Sequence, residues 1–428
     1  NLGIEMRRFK TGTPARIYRN SIDFDEMEEQ RGENCDRFSF LSPHATFVEE
    51  PCYLTYTNLQ THQIIKDNIG RSPLYNGSIH GIGPRYCPSI EDKVMRFKDK
   101  ERHQIFVEPE GQNSDEMYIQ GMSSSLPHDV QEAMYHTLPG LRHCKFAKYA
   151  YAIEYDCIDP LQLLPSLEMK AVQRLFTAGQ INGSSGYEEA AGQGLIAGIN
   201  AVQRLENKPP LVLRRDEAYI GVLIDDLVTK GTNEPYRMMT ARAEHRIKLR
   251  QDNADMRLTE KSYALGLATE ERLAVMKKKR EEMQKILSFS TSAVPREQVA
   301  ELFAKIGEPV PQRTTFGDLA RRPEFLPADL RGFAPIDCSD DAFYAAVVEL
   351  KYEGYLKKQE SAVTEQKRLE DKALPPDINY FEIKALRIEA RQKLDKIRPF
   401  NLGQASRISG VSPADIAVLI IFLSRNQK

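Results

Sequence analysis

Short apolar runs broken by turn residues dominate the first third of the chain. Between Lys10 and about Tyr155, residues such as Gly12, Pro14, Pro43, Pro51, Gly70, Pro73, Gly77, Gly81, Gly83 and Pro84 punctuate stretches like Tyr53-Leu-Thr-Tyr-Thr57. This texture predicts strands and turns with few helices. The pattern changes over residues 161–205. Arg174-Leu-Phe-Thr-Ala-Gly179 predicts a strand, followed by a small-residue loop and a long Ala/Gly-rich helix, a β-loop-α unit. Beyond Pro209 and Pro210 the sequence turns charged and helix-compatible, with residues 270–287 and 343–372 reading as long solvated helices. Ser412-Pro-Ala-Asp415 supplies an N-cap, a first-position proline and a first-turn acid ahead of the apolar residues 416–423, a clear helix start.

Composition narrows the class. A chain of 428 residues corresponds to about three domains at ~150 residues each. Its 41% hydrophobic and 28% charged content is that of a folded protein. Fifty-nine Lys+Arg against 61 Asp+Glu give a net charge of −2, so affinity for nucleic acid must be local rather than global. The longest apolar run, 416–423, is about half of a bilayer span and predicts a core helix, with no membrane association. The chain opens on Asn1 without a secretory pattern, which leads us to expect a portion of a longer cytoplasmic protein. Cysteines 35, 52, 87, 144, 157 and 338 form no CxxC pair, and the eight histidines lack ligand spacing. Reduced thiols and no metal are expected.

Three constellations could carry chemistry. In the first, Ala178-Gly-Gln-Ile-Asn-Gly-Ser-Ser-Gly186, Ser185 and Glu188 have capping-box spacing, and Ala190, Gly194, Ala197, Gly198 and Ala201 fall on one helical face. Unpaired N–H groups and the helix dipole would then accept an electron-rich oxygen such as a flavin C2 carbonyl. Tight helix packing is the alternative. Gly192, Gly194 and Gly198 are not a dinucleotide fingerprint, because they lie inside the helix rather than at a strand-to-helix turn. In the second constellation, residues 81–97, Ser89 with Asp92 predicts a helix start, and Cys87 stands just before it beside Arg85. Both neighbours favour a thiolate, with an inert buried thiol as the alternative. In the third, Arg242, Arg246 and Arg250 would form a basic stripe if helical, with Lys277 and Lys278 nearby in sequence, suited to a phosphate backbone or to an ordinary solvated face. Alternation in His245-Arg-Ile-Lys-Leu-Arg250 also fits a strand.

Several longer strings change the odds: Lys10-Thr-Gly-Thr-Pro-Ala-Arg16 followed by Ser21-Ile-Asp-Phe24, residues 83–97, Ala178-Gly-Gln-Ile-Asn-Gly-Ser-Ser-Gly-Tyr-Glu-Glu189, Pro235-Tyr-Arg-Met-Met-Thr-Ala-Arg-Ala-Glu-His-Arg246, Arg250-Gln-Asp-Asn-Ala-Asp255 and Asn401-Leu-Gly-Gln-Ala-Ser-Arg-Ile-Ser-Gly410. They resemble, along the whole chain, the flavoprotein subunits of the tRNA wobble-uridine 5-carboxymethylaminomethyl modification enzymes, the glucose-inhibited division protein A or MnmG family. The GGG-type fingerprint and the first FAD-binding half of that family are missing here, together with an N-terminal family cysteine.

The resemblance implies an α/β plus α protein: the C-terminal part of a glutathione-reductase-like FAD domain (1–20 and 151–208), an inserted β-rich NAD-docking domain (21–150) and a helical domain for tRNA and a partner (209–428). It places the FAD contact at Gln180, with Gly179, Asn182 and Gly183 beside it. It places the NAD stretch at Gly83, Pro84, Arg85, Tyr86, Cys87, Pro88, Ser89, Ile90, Glu91, Asp92, Lys93, Val94, Met95, Arg96 and Phe97. Cys87 is the implied catalytic thiolate, which by adding to uridine C6 makes C5 nucleophilic toward a one-carbon electrophile. Methylenetetrahydrofolate is the implied one-carbon source, with NADH and FAD as redox cofactors. The partners are tRNA, held by Arg242, Arg246, Arg250, Lys277 and Lys278, and an MnmE-type GTPase, bound by a homodimer as a heterotetramer. A folate- and FAD-dependent tRNA uridine methyltransferase is the alternative enzyme, and a non-catalytic tRNA- or GTPase-binding fragment the alternative of another class.

Overall fold

The computed structural model describes residues 2–32, 39–42, 50–85 and 88–426. The chain divides into two compact units, Asn1–Leu211 with Gly231–Arg237, and Val212–Lys230 with Met238–Lys428.

In the first unit, β1 (Met6–Thr13) and β8 (Tyr151–Ile158) form an antiparallel ribbon, with Met6 opposite Ile158 and Thr13 opposite Tyr151. Phe9 and Tyr155, directly opposite, meet edge to face at 6.1 Å. The chain between these strands builds a six-stranded antiparallel sheet from β2 (Arg16–Tyr18), β3 (Glu28–Gln30), β4 (Cys52–Tyr56), β5 (Gln104–Pro109), β6 (Glu116–Gln120) and β7 (Phe146–Lys148), in the order β3-β4-β5-β6-β2-β7. Ile105 and Val107, and Met117 and Ile119, are buried at alternate positions, as strands with one core face require. They pack with Ile65, Ile90, Val94, Met134 and Tyr135 from α1 (Leu59–Asp67), α2 (Ile90–Arg96) and α3 (His128–Tyr135).

The strand expected at 174–179 does not form. Arg174 has φ +66 and Gly179 φ +81, and an isolated bridge between Glu168 and Phe176 is followed by a 3-10 turn, Gly179–Asn182. These left-handed residues turn the chain where a strand would have to run straight. The helix beyond it, α4 (Tyr187–Leu205), is present with its N-cap at Gly186, so the glycines at 192, 194 and 198 do lie inside a helix.

The second unit is helical: α5 (Tyr219–Lys230), α6 (Ala254–Ala264), α7 (Glu270–Phe289), α8 (Arg296–Lys305), α9 (Phe316–Ala320), α10 (Pro327–Leu330), α11 (Asp340–Glu370), α12 (Ile388–Ile397), α13 (Leu402–Arg407) and α14 (Pro413–Asn426). Ser412 caps α14 through the Asp415 N–H at 3.3 Å, while its hydroxyl donates to the Asp415 carboxylate at 2.7 Å. Arg387 joins the same carboxylate at 2.7 Å. Phe303, Phe316, Phe325 and Phe343 centre a core on the first part of the unit.

A polar junction ties α5 to the rest. Arg215, 1% exposed, donates to Asp225 at 3.1 Å, Asp226 at 2.8 Å and Glu244 at 2.9 Å, and to the Arg242 carbonyl at 3.0 Å. Arg407 of α13 adds Asp225 at 2.8 Å and Glu370 of α11 at 3.0 Å. Removing the buried guanidinium leaves three carboxylates short of their shared partner, so Arg215→Ala should cost about 3–5 kcal/mol. Urea unfolding followed by far-UV circular dichroism measures this. A loss below ~1 kcal/mol would show that the remaining cations neutralise the cluster by themselves.

Candidate functional site

The loop ahead of α4 is held by side chains rather than by a capping box. Gln193, wholly buried on α4, accepts from the Gly179 N–H at 3.1 Å and from Asn182 Nδ2 at 2.8 Å, and donates to Ser184 Oγ at 2.8 Å. Ser184 Oγ donates in turn to the Gly179 carbonyl at 2.9 Å. Asn182 Nδ2 also donates to the Thr177 carbonyl at 2.8 Å, and Thr177 Oγ1 to Asn182 Oδ1 at 2.6 Å. Among the described residues no side chain caps Gly186, so the Ser185–Glu188 box is absent. Ser185 instead gives its N–H to the Tyr236 carbonyl.

The open anion site expected at this helix start is also absent. The helix's own Glu189 carboxylate folds back over Gly186, with the Arg237 guanidinium beside it. Two other features remain available to a ligand. Gln180 is exposed at the turn. Along α4, Gly194 and Gly198 have open space where a Cβ would stand, flanked by Tyr187 at 93% and Leu205 at 74% exposure with Leu195 and Val202 between them. The expected small face is thus divided, since Ala197 is buried while Gly194 and Gly198 are open. The exposed apolar side chains along this face form a surface of the kind that marks an interaction site.

In the second stretch, Ser89 caps α2 through the Asp92 N–H at 3.2 Å, as the spacing predicts. Tyr86 and Cys87 lie outside the described residues. Glu91, in the first turn of α2, is wholly buried. Its Oε1 accepts from Ser124 Oγ at 3.0 Å and the Ser125 N–H at 2.9 Å, with Ser72 Oγ at 3.3 Å. Among the described residues its Oε2 has no hydrogen-bond partner. Burial pushes this carboxyl above the usual range, against the opposing effect of its hydrogen bonds. Asp92 accepts from Tyr75 Oη at 2.8 Å, Lys93 donates to the Gly121 carbonyl at 3.1 Å, and Arg85 and Phe97 are exposed.

Both stretches meet the ribbon at Phe9. Ile82 bridges to Phe9, its carbonyl accepting from the Lys10 N–H at 3.1 Å, and Gly81 at φ +131 lies so close that a Cβ would stand 3.1 Å from the Arg8 carbonyl. A Cβ on Gly183, at φ +81, would stand 3.4 Å from the Phe9 ring and 4.0 Å from Cys157 Sγ. Cys157 is buried there, its thiol pushed up to about 11 by desolvation.

A third segment, Gly231–Arg237, has no role in the sequence reading beyond carrying part of the resemblance. Its Tyr236 N–H donates to the Gly183 carbonyl at 2.8 Å, Arg237 faces Glu189 at 3.6 Å, and Glu234 pairs with Arg85 at 3.3 Å. Arg7 of the ribbon donates to the Thr232 carbonyl and to Asp159. No local periodicity marks these partners, which are distant in sequence.

The basic residues do not form a stripe. Residues 240–242 are a 3-10 turn and 244–248 are further turns, because Arg242 and His245 are drawn inward. Arg242 faces Asp226 at 3.8 Å, Arg250 pairs with Asp252 at 3.0 Å, and His245 contacts Gln366 at 2.9 Å. Arg246 and Lys277 are exposed and, among the described residues, in no ion pair; Lys278 is exposed beside Glu282 at 3.8 Å. No group of three or more His, Cys, Asp or Glu able to hold a metal occurs among the described residues, and none of their helices is long and apolar enough to cross a membrane.

Comparisons with known proteins give a consistent answer. The profile described as glucose inhibited division protein A matches residues 1–209. Those described as the C-terminal helical domain and C-terminal helical bundle of the tRNA modifying enzyme MnmG/GidA match 270–360 and 362–428. The tRNA uridine 5-carboxymethylaminomethyl modification enzyme MnmG of Clostridium botulinum (strain Okra / Type B1) is 55% identical over 438 residues, covering 100% of this chain and 69% of the relative. Its counterpart in Clostridium kluyveri is 52% identical, with the same coverage. Aquifex aeolicus GidA, in its form II crystal, superposes with a TM-score of 0.87 at 41% identity, over 99% of this chain and 68% of that one.

The raised Glu91 carboxyl has a thermodynamic consequence. The stability favouring its protonated form is fully present below the ordinary glutamate range and is lost as pH rises through the raised value. Glu91→Gln keeps an acceptor for Ser124 and Ser125 and cannot ionise. Its thermal midpoint should match the wild type at about pH 4 and exceed it at about pH 8. Equal midpoints at both values would mean that the buried carboxylate is as well accommodated as the acid.

Proposed function

The chain belongs to the MnmG/GidA family of tRNA uridine 5-carboxymethylaminomethyl modification enzymes, and on that footing we propose that it contributes the later part of a FAD-, NADH- and folate-dependent enzyme acting at C5 of the wobble uridine. The observation that carries this reading is the convergence of the Gly179–Asn182 turn and the loop through Gly81 and Ile82 on Phe9 of the ribbon. It supports a flavin at the first and a nicotinamide donor beside the second.

In this proposal residues 1–20 and 151–208 belong to a glutathione-reductase-like FAD domain, 21–150 to an inserted NAD-docking domain, and 209–428 to the helical tRNA- and partner-binding domain. Gln180, with Gly179, Asn182 and Gly183, would hold FAD, and the open face of α4 would receive the rest of that domain, the relatives being longer than the matched stretch. Residues 83–97 would dock NADH. FAD bound at the turn would supply reversible electron storage. The Cys87 thiolate would add to uridine C6, making C5 nucleophilic toward the methylene carbon drawn from the folate. Loss of the C5 proton would expel tetrahydrofolate, the proton going to its departing nitrogen, and leave an exocyclic methylene. Addition of an amine to that methylene with expulsion of the thiolate from C6 would then restore the ring as a 5-aminomethyl-type uridine. An MnmE-type GTPase would assemble with a dimer of this protein.

The phosphate contacts can be refined. Arg242 and Arg250 are partly buried as well as engaged with carboxylates, whereas Lys278, beside Glu282, is exposed. Arg246, Lys277 and Lys278 are therefore better placed to release counterions, with Arg242 and Arg250 supporting them.

Two measurements on the full-length protein test these roles. Cys87→Ser should lower wobble-uridine modification by at least about a thousandfold while tRNA binding persists, since a hydroxyl is a far poorer nucleophile at neutral pH; wild-type turnover would remove Cys87 from the reaction. Replacing Arg246, Lys277 and Lys278 by Gln should weaken tRNA binding and reduce the slope of log K against log salt by about 2–3. An unaltered slope would make them ordinary solvated side chains.

A further inference from the structure

The Gln193 side chain performs a task that no local sequence feature announces. Its two ends hold both polar atoms of Gly179: Oε1 takes the Gly179 N–H directly, and Nε2 holds the Ser184 hydroxyl that donates to the Gly179 carbonyl. That carbonyl lies in the same rigid peptide plane as the Gln180 N–H, so orienting one orients the other. The second acceptor position on Oε1 takes Asn182 Nδ2, which fixes the far side of the turn. Gln193, Asn182 and Ser184 are all buried. Water therefore cannot replace any member, and losing one strands its partners without hydrogen bonds.

We propose that Gln193 is a positioning residue of the cofactor site, which through Ser184 and Asn182 sets the peptide plane and direction in which Gln180 is presented to the flavin. The inference rests on the flavin reading above and adds to it a residue that touches the turn without touching the ligand. A leucine or methionine at this buried position would leave the Gly179 N–H, Asn182 Nδ2 and Ser184 Oγ without the partner the amide supplies, so packing does not account for an amide here. What the amide provides is simultaneous acceptance of two donors and donation to a hydroxyl.

The test uses the full-length protein and FAD itself, with the dissociation constant and the visible spectrum of the bound flavin at saturation as readouts. Gln193→Met, close in shape but without the amide, should raise the FAD dissociation constant by at least about tenfold and shift the flavin band. Ser184→Ala should change both in the same direction, and Ser184→Thr, which keeps the hydroxyl, should leave both at wild-type values. If Gln193→Met does not fold, Ser184→Ala and Ser184→Thr carry the comparison. A wild-type constant and spectrum in the folded Gln193→Met or Ser184→Ala variant, while the wild-type protein binds FAD, would overturn the inference and leave the flavin reading standing. Lower thermal stability with an unchanged spectrum at saturation would also overturn it, as the mark of a purely structural role. Failure of the wild-type protein to bind FAD would sink the flavin reading and this inference with it.

Discussion

Pairing of β1 with β8 is the constraint on which the first unit depends. It joins the two ends of the excursion that builds the six-stranded sheet, so the chain closes a long loop before the sheet can be anchored. Once closed, the ribbon presents Phe9 to two backbone segments. The backbone around Ile82 docks along its edge, and Gly183 docks against its ring. Neither approach tolerates a side chain without displacement: Gly81 would bring a Cβ against the Arg8 carbonyl, and Gly183 would bring one to 3.0 Å from Thr232. One stretch from within the insertion and one from beyond it reach the same place for reasons of backbone geometry.

What could be read from the sequence was what is local. Ser89 with Asp92, and Ser412 with Pro413 and Asp415, meet within one helical turn, and both form as their spacing predicts. The long helices at 270–289 and 340–370 follow from sustained helix-compatible composition. The alternating run at Tyr53 is a strand because β3 and β5 flank it. The departures occur where distant partners intervene. Leu175 and Phe176 have the composition of a strand, but Arg174 turns left-handed with its N–H on the Glu168 carboxylate. Ser185 and Glu188 have capping-box spacing, but Tyr236 takes the Ser185 N–H. The basic run at 242–250 folds as turns around Asp226 and Asp252.

Arg215 and Gln193 illustrate the same limit on sequence reading. Each is a buried polar side chain with several hydrogen-bonding positions, placed where irregular backbone would otherwise leave donors or acceptors unmatched. Arg215 joins α5 to the turn at 242–244 and, through Asp225 and Arg407, to α13 and α11. Gln193 joins α4 to its preceding loop. Nothing in the neighbouring sequence distinguishes them from surface residues, because their partners are seven or more positions away. Family resemblance singles out Gln180 as the implied flavin contact; only the assembled fold shows what steadies its loop.

The 31 residues of α11 run without interruption through the point at which the two C-terminal family profiles divide, residues 360 and 362. At about 1.5 Å per residue the helix is about 46 Å long. Its first turns are embedded with Phe316 and Phe325, and its last reach Arg407 on α13. A continuous ladder of backbone hydrogen bonds does not act as a hinge. The two modules therefore behave as one mechanical body, with α11 as its strut. Any tilt of the terminal bundle about this element must bend the helix itself, at the expense of its own backbone hydrogen bonds.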